Sequence, residues 1–152
     1  MKTVPIDELV AHVGEDLGTS EWFVIDQARI DAFADATLDH QYIHVDPEAA
    51  KRTPWGTTIA HGFLTLSLLP HLMDGVMIAP EGTVMGINYG LDKVRFLEAV
   101  KVDSAVRAHV RLVDVTDKGA GRWLLKTEVT VEIRGADRPA LVAEPLTMFV
   151  VA

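Results

Sequence analysis

Apolar and polar residues alternate with period two along much of the second half of the chain. Val106, Ala108, Val110 and Leu112 interleave with Arg107, His109 and Arg111, the pattern of a strand with one face buried. Trp123, Leu125, Thr127, Val129, Val131 and Ile133 repeat it against Arg122, Lys126, Glu128, Thr130, Glu132 and Arg134. Thr116 to Gly121, between them, carries two glycines and suits a hairpin loop, so the two strands are antiparallel neighbours. Arg134 to Pro139 reads as the next turn. Leu141 to Val151 is apolar on both faces apart from Glu144 and Thr147. That predicts a strand deep in the sheet, with a bulge or an unpaired edge position at Pro145.

The first half reads as helices and loops. Asp26 can cap a helix running to about Thr37, with Ile30, Phe33 and Ala34 on one stripe. Asp46-Pro47-Glu48 opens another, with a carboxylate cap and proline at the first helical position. From His61 to Gly75, Phe63, Leu64, Leu66, Leu68, Leu69, Leu72 and Met73 surround the helical wheel, which predicts a helix buried on every side and bent at Pro70. One buried helix followed by four or five antiparallel strands makes an α+β protein, a curved sheet wrapped around a central helix. With 152 residues and no linker or repeat, the whole of 1–152 is expected to be a single domain.

Charge and composition narrow the functions. Fourteen basic against 22 acidic side chains leave a net charge of -8, which argues against a nucleic-acid partner. With no cysteine, a thiol nucleophile, a disulfide framework and a thiolate metal site are excluded, so catalysis must use oxygen or imidazole groups. The most apolar stretch, Phe63 to Met73, is too short and too interrupted to span a bilayer. Met1 to Glu8 has no apolar signal core. The expectation is a cytoplasmic protein with no membrane partner.

Most groups able to do chemistry fall between Asp39 and Gly62. Asp39-His40-Gln41-Tyr42-Ile43-His44-Val45-Asp46 packs two carboxylates, two imidazoles and an amide into eight residues after a helix end. Across a non-helical bend, Asp39 and His44 can converge on one atom as an acid/base pair for activating water. They could instead be a turn cap and a satisfied core histidine. A metal set of His40, His44 and Asp46 with Asp39 needs a helix to align the i, i+4 pair. The segment around Tyr42-Ile43 is expected to be extended, so no metal site is assigned. Gly62 opens the buried helix, where free N–H groups favour developing negative charge, and is a candidate oxyanion donor. His61 could be a helix cap, a substrate contact or a core histidine.

These residues resemble a known family. Asp39-x4-His44-Val45-Asp46-Pro47, then Ile59-Ala60-His61-Gly62-Phe63, then Tyr89-Gly90-Leu91-Asp92-Lys93-Val94-Arg95-Phe96 are similar to the MaoC-like (R)-specific enoyl-CoA hydratases, in particular their nodulation-protein-N-like branch. The resemblance implies a hot-dog fold, a homodimer joined through sheet edges, and addition of water to trans-2-enoyl-CoA to give (R)-3-hydroxyacyl-CoA. It also implies that Asp39 and His44 are the catalytic pair and that Gly62 binds the thioester oxygen; His61 and Gln41 are further candidates for substrate binding. No cofactor is implied, since CoA is part of the substrate. The chain departs from the broader family pattern at Leu38, where glycine is usual, and at Gln41 and Tyr42, where asparagine and proline are. A hot-dog thioesterase or a non-catalytic acyl-CoA-binding module are the alternatives.

Overall fold

The computed structural model describes residues 1–152. In chain order its elements are β1 (Lys2–Val4), α1 (Ile6–Leu9), a 3-10 turn (Val10–His12), β2 (Asp16–Thr19), β3 (Phe23–Ile25), α2 (Gln27–Thr37), α3 (Tyr42–Val45) and α4 (Pro47–Ala50). They continue with α5 (Gly62–Ser67), α6 (Leu69–Asp74), β4 (Ile78–Pro80), β5 (Thr83–Phe96), β6 (Ser104–Gly119), β7 (Arg122–Ile133) and β8 (Leu141–Val151). The main sheet runs β2-β6-β7-β8-β5, with β3 also paired to β6, and every pairing is antiparallel. The sheet wraps the α5–α6 helix, which is the hot-dog arrangement. No helix is long and apolar enough to cross a membrane.

The period-two pattern locates β6 and β7 because their alternating apolar residues all reach the core. Val106, Ala108, Val110, Leu112, Leu125 and Val131 are fully buried against helix residues such as Leu64, Leu69 and Leu72. Burial of each large side chain contributes about 1.5–3 kcal/mol. The strands run further into the hairpin than alternation suggests, leaving only Ala120 and Gly121 as the turn. Helix α2 begins where predicted, with the Asp26 carboxylate accepting the Arg29 N–H at 2.9 Å. The α5–α6 helix breaks at Leu68, two residues before Pro70, whose missing N–H cannot continue the ladder.

Three features depart from the pattern-based reading. Phe63 is 66% exposed, so the central helix is not buried on every side. β1 and β4 form a separate parallel pair, with Lys2 opposite Ile78, in segments too short to show any periodicity. β5 is almost wholly uncovered: of its fourteen residues only Thr83 and Val94 are even partly shielded. Pro145 takes the bulge option. It lies opposite Leu91 within an interior strand, next to a register shift between Leu91 and Val94. On the outer face, the Lys126 ammonium of β7 lies 2.7 Å from Glu144 of β8 and 3.0 Å from Asp92 of β5. Those hydrogen bonds, Glu144 first, push its pKa up to about 12.

Candidate active site

The site is built where α2 ends. Leu38 caps it in the left-handed conformation, φ 62°, with its side chain in solvent, which turns the chain so that Asp39 and α3 follow at once. The extended segment expected around Tyr42 is instead one helical turn, closed by His44 N–H to the Gln41 carbonyl at 2.9 Å and Asp46 N–H to that of Tyr42 at 3.0 Å. Too few residues are involved for a helical period to be visible. The turn carries His44 inward, while His40 binds Asp35 at 2.8 Å and Asp46 caps α4 through the Ala49 N–H at 2.9 Å. The set His40, His44 and Asp46 therefore does not assemble.

His44 is held from both sides. Its ring Nδ1 is 2.7 Å from the Ile59 carbonyl, and Ile59 N–H donates in return to the Ile43 carbonyl at 3.0 Å. A carbonyl only accepts, so Nδ1 carries the proton, and Nε2 of the neutral ring is a free lone pair. Gln27 of α2 steadies the turn: its amide donates to the His44 carbonyl at 2.7 Å and accepts from the buried Thr58 hydroxyl at 2.6 Å. Neither Gln27 nor Thr58 was marked by sequence, because an amide and a hydroxyl spaced 31 residues apart carry no local signature.

Asp39, His44 and His61 each bring a carboxylate oxygen or ring nitrogen within 4.8 Å of the others'. His44 and His61 stack with centroids 3.8 Å apart and planes 23° from parallel. In-plane lone pairs of rings so nearly parallel do not converge on a cation about 2 Å from each, so the trio suits a shared water or proton better than a metal ion. Asp39 is exposed and His44 only 6% exposed, so the pair joins a wet carboxylate to a dry imidazole. Burial is the main force holding the His44 pKa below 6.5; the Ile59 carbonyl opposes it, His61 adds to it, and Asp39 opposes it.

His44 and Gly62 line the same cavity of about 210 Å³, closed opposite by Phe96 to Val100. Gly62 opens α5, whose first N–H groups have no earlier helical carbonyl to bind. A Cβ there would sit 3.0 Å from the Phe96 ring, which itself meets Phe63 edge to face at 5.6 Å. Of the other sequence candidates, Gln41 is exposed and lies outside this lining, its N–H 3.5 Å from the Asp39 carboxylate. His61 is buried behind His44. A larger apolar cavity of about 510 Å³ lies further along the helix, between Leu66, Pro70 and Met73 and the strand positions Gly86, Asn88 and Gly90.

The family described as "MaoC like domain" matches residues 8–134. The chain belongs to the MaoC-like family. This MaoC-like chain is 50% identical over 145 residues to 3-hydroxyacyl-thioester dehydratase Z of Mycobacterium tuberculosis, covering 95% of each. It is 48% identical over 149 residues to Nodulation protein N of Rhizobium leguminosarum bv. viciae, covering 97% of this chain and 92% of that one. In fold it resembles the monoamine oxidase regulatory protein from Archaeoglobus fulgius, with a TM-score of 0.79 at 21% identity over 100% of this chain and 97% of that one. Membership of the dehydratase family makes the MaoC-like chain a hydro-lyase of the dehydratase/hydratase type.

Proposed function

We propose that the chain is an (R)-specific enoyl-CoA hydratase/dehydratase that uses Asp39 and His44 on water and Gly62 on the thioester. The observation that carries this is a buried, tautomer-fixed His44 that lines one cavity with the helix-opening Gly62 and has the exposed Asp39 carboxylate, itself outside that lining, within 4.8 Å. Water held between the carboxylate and the His44 Nε2 lone pair adds its oxygen to the substrate β-carbon. The pair withdraws one proton during attack and returns a proton to the α-carbon. Negative charge then gathers on the thioester oxygen, where one backbone donor such as the Gly62 N–H is worth about 3–4 kcal/mol. The 510 Å³ apolar cavity is large enough for an acyl chain. No metal or redox group is called for, and CoA enters as part of the substrate.

We also propose a homodimer. β5 presents Val84, Met85, Ile87, Tyr89 and Leu91 to solvent on a strand paired only with β8. A second copy aligned on that edge removes both the unpaired backbone and the apolar surface.

The test is hydration of trans-2-enoyl-CoA thioesters of several chain lengths, followed by loss of enoyl absorbance and chiral analysis of the product. Asp39→Asn and His44→Ala are each expected to lower the rate by roughly 10²–10⁴ while the protein stays folded. Full activity in either variant ends the assignment. Release of free thiol without hydration would make the protein a thioesterase, and tight binding without reaction a carrier module. Sedimentation analysis checks the dimer; a monomer at working concentration removes it.

A further inference from the structure

His61 is 3% exposed and does not line the cavity, yet it carries a ring nitrogen, Nδ1, that is buried and bonds nothing. A buried polar atom left unpaired costs a protein stability, so packing alone does not explain an imidazole in a slot that a phenyl ring would fill. Its other contacts are specific. Nε2 lies 2.9 Å from the main-chain carbonyl of Asp39, which fixes the proton on Nε2 and leaves Nδ1 as the lone pair. One face stacks on His44, and Phe33 leans on the ring at 5.0 Å. His61 thus touches both members of the acid/base pair.

Resting on the hydratase reading, we propose that His61 is the positioning residue of that pair: one hydrogen bond holds the Asp39 main chain, one ring stack holds the His44 imidazole, and together they set the space between carboxylate and base. The lone pair is the cost of this double hold, since turning the ring to satisfy Nδ1 would release Asp39. The same contact opposes a proton on His44, because a charge on either ring repels a charge on the other. The other groups facing His44 are the Asp39 carboxylate, the uncharged Gln27 amide of α2, Thr65 of α5, and Glu98 in the cavity wall beyond β5.

His61→Gln and His61→Phe separate the two holds. The glutamine amide nitrogen stands as many bonds from Cβ as Nε2 and keeps the donor, whereas phenylalanine keeps only the stack. His61→Phe is expected to lower kcat for enoyl-CoA hydration roughly 100-fold with KM little changed, and His61→Gln roughly tenfold. In both, the acidic limb of the kcat/KM profile moves to higher pH, because the repelling neighbour is gone. Imidazole NMR of His44 should show the same upward movement with no turnover required. If the wild-type protein hydrates no enoyl thioester, the hydratase reading fails while the NMR titration still decides the positioning. A folded His61→Phe protein with unchanged kcat and unchanged His44 titration overturns the proposal. So does a rise in KM at constant kcat, which would make His61 a substrate contact. Should neither variant fold, nitrogen NMR of the wild-type protein decides: a proton on Nε2 of His61 supports the proposal and one on Nδ1 overturns it.

Discussion

The two flanks of the central helix are finished differently. Toward β6 and β7 the inner face of the sheet is closed by Val106, Ala108, Val110 and Leu112, all fully buried. Toward β5 the inner positions are Gly86, Asn88 and Gly90, and the strand leaves a void of about 510 Å³ against the helix. A Cβ added at Gly90 would meet only Leu146, at 4.0 Å, so the space is real and the glycine leaves it unfilled. One flank supplies stability and the other supplies room, and the proposed Asp39–His44 pair lies beside the N-terminus of the helix, where His44 stacks on His61. Packing of this quality on both sides would leave no void for the acyl chain that the proposed function requires.

Substitutions on the two flanks should separate these roles. The largest effect belongs to the closed flank, where Leu112→Ala is expected to cost about 3 kcal/mol in urea unfolding, within the range for buried leucines. On the open flank, Ile87→Ala should change protomer stability by less than about 0.5 kcal/mol while weakening self-association in sedimentation. Equal losses at the two sites would erase the contrast. Filling the void with Gly90→Leu should leave the unfolding midpoint nearly unmoved and shorten the acyl chains accepted, read as kcat/KM across enoyl-CoA lengths. An unchanged chain-length profile would place the acyl group elsewhere.

Smaller effects come from the junction. Because the folded protein holds the His44 pKa below 6.5, the unfolded chain takes up a proton that the folded one refuses as pH falls through that value. The His44 contribution to stability is therefore undiminished above 6.5 and declines on acidification from there toward the lowered native value. The difference in urea midpoint between the wild-type protein and His44→Gln should follow that course; a difference independent of pH would mean the imidazole is not desolvated. Smallest is Leu38→Gly. A left-handed leucine costs about 1–2 kcal/mol and glycine returns part of that through backbone entropy, about 0.5–1 kcal/mol. A gain of roughly one or two degrees in Tm is expected.

The closed flank was the more legible of the two in the sequence, for a physical reason. A strand with one dry face must alternate, so β6 and β7 announce themselves, and Asp26 and Asp46-Pro47 mark helix starts by the same local chemistry that caps them. β5 is nearly all exposed, bulged and twice interrupted by glycine on its inner face, so neither face imposes a period. At the site, spacing and residue type raise Asp39, His44 and Gly62 as candidates and leave a turn cap and a core histidine open; the roles proposed for them come from the family resemblance. The Tyr42–Val45 turn was not legible, because four residues are held by contacts from Gln27 and Ile59 that lie elsewhere in the chain. The roles of His61 were invisible for the same cause: its partners are a main-chain carbonyl and another ring, neither of which has a sequence signature.

Lys126 bears on how so thinly packed a strand keeps its place. Its ammonium reaches across β8 to Asp92 of β5 beside the Pro145 irregularity, where the register between β5 and β8 shifts. The roof of the larger void is thus pinned from the outside, by charge, at that shift. Such a clasp is sensitive to ionic strength where a greasy seam is not, so how firmly this stretch of β5 is held to the rest of the sheet becomes a property that salt can tune.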